Sequence, residues 1–123
     1  MERAREDVCM KRVYIAGAYS ANNVIDVLKN IGRGEHLAAK LFFAGYAPFC
    51  PWHDKDYIIK RPDAIVCVDA FYEYSLAWLE VSDCILLVPG WEKSKGTLAE
   101  IEFANKRGIP VFETFEHMRG VFA

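Results

Sequence analysis

The residues best equipped for chemistry stand late in the chain, in LVPGWEKSKGTLAEIEFA, residues 87–104. An apolar run breaks at Pro89-Gly90, a polar loop follows with Lys93, Ser94, Lys95 and Gly96, and a helix-forming stretch from Thr97 carries Glu100 in its first turn. Two kinds of chemistry fit this order. Unpaired backbone N–H groups at a helix start, beside a glycine that lets the backbone approach a ligand, make an anion site. Ser94 would donate a hydroxyl to that site, and Lys93 and Lys95 would supply charge. A carboxylate at the same helix start, kept ionised by the helix dipole, can act as a nucleophile. Each reading has a plain structural counterpart. Gly-Thr before a helix is common, so a polar surface loop weighs about equally with the anion site. Thr97-Leu98-Ala99-Glu100 also fits the T-x-x-E capping box, in which the glutamate bonds back to the cap backbone. On spacing alone the cap is the favoured reading of Glu100.

Other candidates are weaker. The polar segment after Gly17, with Tyr19 and Ser20, follows an apolar run and is a second loop able to meet a ligand. His53-Asp54 has the composition of a metal or acid-base pair, but His36 and His117 are not placed to complete a site and no metal-binding motif is present. A surface-loop histidine is the simpler reading. Trp52 and Trp91 fit packing better than base stacking, and Phe71-Tyr72-Glu73-Tyr74 fits helix packing or a subunit interface.

The elements that must hold these residues follow from periodicity. Val13 to Gly17 reads as a strand. From Val24, the residues Val24, Leu28, Ile31, Ala38, Leu41 and Phe42 recur mostly at three- and four-residue steps, giving a long amphipathic helix that Gly45 ends. Gly32 and Gly34 each cost that helix roughly 1 kcal/mol against Ala. Tyr46 to Cys50 is a second strand, placed at a sheet edge by Pro48. Pro51 to Arg61 shows no period and reads as a long loop, and Ala64 to Val68 is ambiguous between strand and loop. Asp69 suits the cap of a helix through Leu79 in which Tyr72, Leu76 and Leu79 share a face. Cys84 to Val88 is apolar without alternation, as a strand covered on both faces must be. Thr97 to Arg107 is a third long helix with Gly108 as its end, Ile109 to Phe112 a last strand, and residues 114–121 a final helical turn or two. Alternating strands and helices without hairpin turns predict an α/β fold: a Rossmann-like or flavodoxin-like three-layer sandwich on a small parallel sheet of 4–5 strands. In such sheets ligands bind at the carboxyl ends of strands, where the strand order reverses. The loops at residues 17–23 and 89–97 are the two that qualify.

Composition narrows the partner. The chain has 123 residues, 53% hydrophobic and 26% charged, enough for one domain with one core. Residues 1–10 read as an extension and residues 11–123 as the domain. A net charge of −2 without a basic face argues against a nucleic-acid polymer and favours a small ligand. Cys9, Cys50, Cys67 and Cys84 form no CxxC pair, which with the absence of a leader-like start predicts reduced thiols in a cytoplasm. No apolar run approaches the ~18 residues of a membrane span.

At this point the motifs resemble a known group. YIAGAYS near the start, paired with SDCILLVPGWEKSKGTLAEIEFANKRGIPV, resembles the nucleoside 2-deoxyribosyltransferase superfamily. The likeness is strongest to its short members, with a Y-[IL]-A-x-P-[YM]-S-like strand and loop and a later D-x-x-x-L-x-P-G-W-x-x-S-x-G-x-x-x-E run. It runs from about Lys11 to Phe112. It implies a Rossmann-like, usually dimeric protein that cleaves the N-glycosidic bond of (deoxy)nucleosides or nucleotides, with no metal or redox cofactor. Glu100 falls on the nucleophile, and Tyr14 with Gly17, Tyr19 and Ser20 falls on the sugar-side first loop. Gly96 and Thr97 fall in the loop that opens the nucleophile's helix. Ser94 takes a place that is acidic in the transferases and, in relatives that hydrolyse deoxynucleoside monophosphates, holds the 5′-phosphate. The chain departs from the pattern at Ser75, where the family often carries the Asp that helps the base to leave. Asp69, Glu73 and His53 are candidates to take over that task. Ala18 replaces the first-loop Pro.

The implied reaction is attack of Glu100 on C1′, departure of the base, and resolution of the glycosyl ester by water or a second base. Pro89-Gly90 and Gly96-Thr97-x-x-Glu100 also resemble the P-G-G-x-G-T-x-x-E signature of the cytokinin-activating nucleotide phosphoribohydrolases, which would make the sugar ribose. A nucleotide-binding or sensing module without turnover is the reading from a different class.

Overall fold

A computed structural model describes residues 10–65 and 67–122. The expected extension over residues 1–10 lies, apart from Met10, outside them, as does Val66 in the ambiguous stretch before Val68. Four parallel strands form one sheet: β1 (Arg12–Ala16), β2 (Ala47–Phe49), β3 (Cys84–Leu87) and β4 (Val111–Phe112). Five helices connect and follow them: α1 (Val24–Phe43), α2 (Lys55–Lys60), α3 (Val68–Glu80), α4 (Lys95–Lys106) and α5 (Phe115–Val121). The strand order is β2-β1-β3-β4. Tyr14 therefore lies between Phe49 and Ile85 in register, and Ala16 pairs with Leu87. The chain runs outward from β1 to β2, then crosses back to β3, so the order reverses between β1 and β3 and opens a crevice at their carboxyl ends.

Successive side chains of a strand point to opposite faces, and both faces here are covered. Val13, Ile15, Cys84 and Leu86 pack against Ile31, Ala38 and Leu41 of α1 and Phe115 and Met118 of α5. Tyr14, Ala16, Ile85 and Leu87 pack against Leu76 and Leu79 of α3 and Ile101 and Ala104 of α4. This is the expected three-layer α/β sandwich, with β2 at the edge where Pro48 placed it.

Several local expectations change. In α1 the buried side is Asn30, Ile31, Gly34, Ala38 and Leu41, whereas Val24, Leu28 and Phe42 are exposed. The helix has turned so that Gly34 faces inward, where a Cβ would stand 2.5 Å from the Trp52 ring. The glycine that costs the helix propensity thus admits the indole. Pro51 to Arg61 is not a loop: a 3₁₀ turn over Pro51–Asp54 runs into α2. The turn is anchored by Trp52, which is 2% exposed and donates its indole N–H to the Ala18 carbonyl at 3.1 Å. Its regularity comes from that tertiary contact, which no local period records. Asp69 does not cap α3; the cap position is Cys67, and Asp69 sits in the first turn. Gly45 and Gly108 do follow their helices, with φ of +95° and +71°.

Candidate functional site

A cleft of about 980 Å³ opens at the carboxyl ends of β1 and β3. The loop after β1 lines it with Gly17, Ala18, Tyr19 and Ser20, and the segment from Gly90 into α4 lines it with Lys93, Ser94, Lys95, Gly96, Thr97 and Glu100. Both loops singled out by the sequence therefore meet at one cleft. Gly17 is required by the crowding where the two strands emerge: a Cβ there would lie 2.7 Å from that of Val88.

The helix carrying Glu100 starts two residues earlier than its sequence pattern suggests. Ser94 is the N-cap of α4, its Oγ accepting the Thr97 amide at 3.2 Å and the Thr97 hydroxyl at 2.9 Å. The Thr97–Glu100 capping box accordingly does not form, and Glu100 lies in the second turn, past the reach of the dipole at the helix start. Its partner is instead Tyr14, whose hydroxyl donates to Glu100 Oε2. Burial pushes the Glu100 carboxyl up to about 7, while the Tyr14 hydrogen bond pulls it back down. The phenol of Tyr14 is itself held far above its ordinary range by burial, then by the Glu100 charge and by the hydrogen bond to Glu100, with the Ser75 hydroxyl acting the other way. Tyr14 is thus a neutral donor whose hydrogen bond joins β1 to α4.

Tyr14 is fully buried and stands behind Glu100 rather than lining the cleft. Ser75, 7% exposed, does line it. His53 and Asp69 do not: His53 turns to Glu35, with Nε2 3.2 Å from Oε2, and Asp69 is exposed on α3. Glu73 is likewise exposed and away from the cleft.

Three further groups line the cleft: Lys55, which no motif marks, Asp54, which the sequence paired with His53, and Tyr72, which it assigned to packing. Asp54 and Lys55 enter from the turn behind Trp52, and Tyr72 enters from α3. Tyr72 approaches so closely that a Cβ on Gly96 would stand 3.3 Å from its hydroxyl, so Gly96 makes room for a side chain as well as for a ligand. Ile58, Ile59, Val68 and Phe71 add an apolar wall on the α2–α3 side. Among the described residues no three His, Cys, Asp or Glu side chains converge as a metal site.

Fold and site together define a doubly wound α/β protein with a ligand-sized cleft at its switch point, a half-buried carboxylate in its wall and basic and hydroxyl groups at its rim. The chain belongs to the family described as a domain of unknown function, DUF4406, whose model matches residues 11–113. No curated protein matches it.

Proposed function

We propose that this protein cleaves or transfers at the N-glycosidic bond of a (deoxy)nucleoside or its 5′-monophosphate, with Glu100 as the nucleophile. The observation that carries the reading is the placement of Glu100: a carboxylate in a cleft wall at the switch point, oriented by the buried hydroxyl of Tyr14. Glu100 attacks C1′, the electron pair of the C1′–N bond passes to the base, and a glycosyl ester forms. Water or a second base then takes the sugar. Splitting one substitution in this way avoids a free oxocarbenium ion. Tyr14 is a positioning residue that also steadies the ionised carboxylate. Ser20, Ser94, Lys93 and Lys95 line the cleft and are suited to a 5′-phosphate, whose binding would fix C1′ before Glu100. No step requires a metal or redox cofactor. The protein works on small molecules in the cytoplasm, as a homodimer or larger homo-oligomer, and the exposed Val24, Ile25 and Leu28 of α1 supply apolar surface for subunit contact. Among the described residues no helix is long and apolar enough to cross a membrane.

The test is release of free base from a panel of nucleosides and 5′-monophosphates, followed by chromatography. Release that disappears in Glu100→Gln with the fold retained is the expected result; turnover surviving that substitution overturns the nucleophile. Ser75 in place of an acidic residue favours one second reading, a nucleotide sensor. Tight nucleotide binding without release of any base would establish it.

A further inference from the structure

We propose that Asp54 is the acid that protonates the departing base; this rests on the N-glycosidic reading of the cleft. Among the described residues two carboxylates line the cleft, Glu100 and Asp54, whereas His53, Asp69 and Glu73 do not. They come from different walls. Glu100 stands on α4 after β3, and Asp54 ends the turn that follows β2, with the end of β1 and its loop between them. A nucleoside lying across β1 with its sugar at Glu100 and its phosphate at the Ser94 loop would carry its base toward the β2 side. That side suits a base: Ile58, Ile59, Val68 and Phe71 supply apolar and aromatic surface, and Asp54 is the one carboxyl group there among the described residues.

Asp54 is also held and left free to act. Trp52, two residues earlier, is locked between Gly34 and the Ala18 carbonyl, which fixes the turn. Lys55, the adjacent cation, reaches Glu35 at 3.2 Å. The Asp54 charge is felt by phenols on three elements: Tyr14 on β1, Tyr19 in the loop after it and Tyr74 on α3. Burial raises its pKa above the ordinary aspartate value, with Lys55 opposing, so a proton is held more readily than on a solvated aspartate.

In the step proposed, Glu100 Oε bonds to C1′ as the C1′–N bond breaks and its electron pair goes to the base. Asp54 gives its proton to a base nitrogen or carbonyl oxygen and becomes a carboxylate. When water attacks C1′ and Glu100 leaves, the proton lost by the water returns to Asp54, restoring both groups.

The test compares an unmodified purine 5′-monophosphate with its N7-methylated counterpart, whose base already carries the positive charge and departs neutral without a proton; for a pyrimidine-specific enzyme, a 5-fluorinated base replaces the methylated one as the better leaving group. Asp54→Asn should slow release of the unmodified base by about a hundredfold or more and release of the activated base several-fold less, whereas Glu100→Gln should abolish both. Retained turnover of the activated substrate also shows that Asp54→Asn is folded. Equal losses on both substrates, or none on either, overturn the role of Asp54 while leaving Glu100 in place. Wild-type protein that releases neither base overturns the underlying reading and this proposal with it.

Discussion

Glu100 is subject to opposed influences, burial favouring the neutral acid and the Tyr14 hydroxyl favouring the carboxylate. A group with its pKa raised from 4.5 to about 7 binds its proton more tightly in the folded state. The stability this contributes is complete below the unfolded value and is lost as pH rises through the folded one. Glu100→Gln should therefore stabilise the protein at pH 8 by on the order of 2 kcal/mol and change little at pH 4, measured by thermal melts at both values. An unchanged or lower melting temperature at pH 8 would contradict the assignment of burial as the dominant influence. In the proposed reaction the same opposition sets the pH dependence of turnover, because a nucleophile must be ionised. With an activated base that needs no proton from Asp54, the acid limb of kcat/KM should fall near pH 7, and Tyr14→Phe, which removes the stabilising donor, should move it to higher pH.

At the scale of elements, the glycines of α1 separate propensity from packing. Gly32 has open space where a Cβ would go, and Gly34 has the Trp52 ring. Gly32→Ala should stabilise the fold by roughly 1 kcal/mol. Gly34→Ala should destabilise it by about 1–3 kcal/mol and shift the turn that carries Asp54, since the large buried indole cannot give way cheaply. Urea denaturation of the two variants compares them directly. Ser94→Ala should cost about 1 kcal/mol as the loss of an N-cap, and weaken 5′-monophosphate binding more than nucleoside binding. What sequence could show at this scale followed periodicity: β1, β3, α1 and α4 each carry enough repeats or apolar length to declare themselves. Pro51 to Arg61 carried no period because its order comes from one buried tryptophan. The start of α4 differs from its sequence pattern because Ser94 and Thr97 are both good caps in sequence, and only the backbone decides between them.

Across the whole molecule, the two-sided sheet decides which thiols are reachable. Cys50 and Cys84 are buried, and burial pushes their pKa values up to about 11 and about 12, while Cys67 is exposed before α3. In a Cys9→Ser background, a thiol reagent should modify Cys67 in the native protein and reach Cys50 and Cys84 only on unfolding, as counted by mass spectrometry. The sequence by itself determined the alternation of strands and helices, the parallel sheet with an edge at β2, and the two loops that line the cleft, because hydrophobic period and chain punctuation are local properties. Tertiary structure alone decided which groups share the cleft. It paired Glu100 with Tyr14, 86 residues away, removed His53 and Asp69, and admitted Asp54 and Tyr72. Those outcomes depend on how far each helix turns on the sheet and on which side chain fills the space beside a glycine, and neither leaves a mark in local spacing.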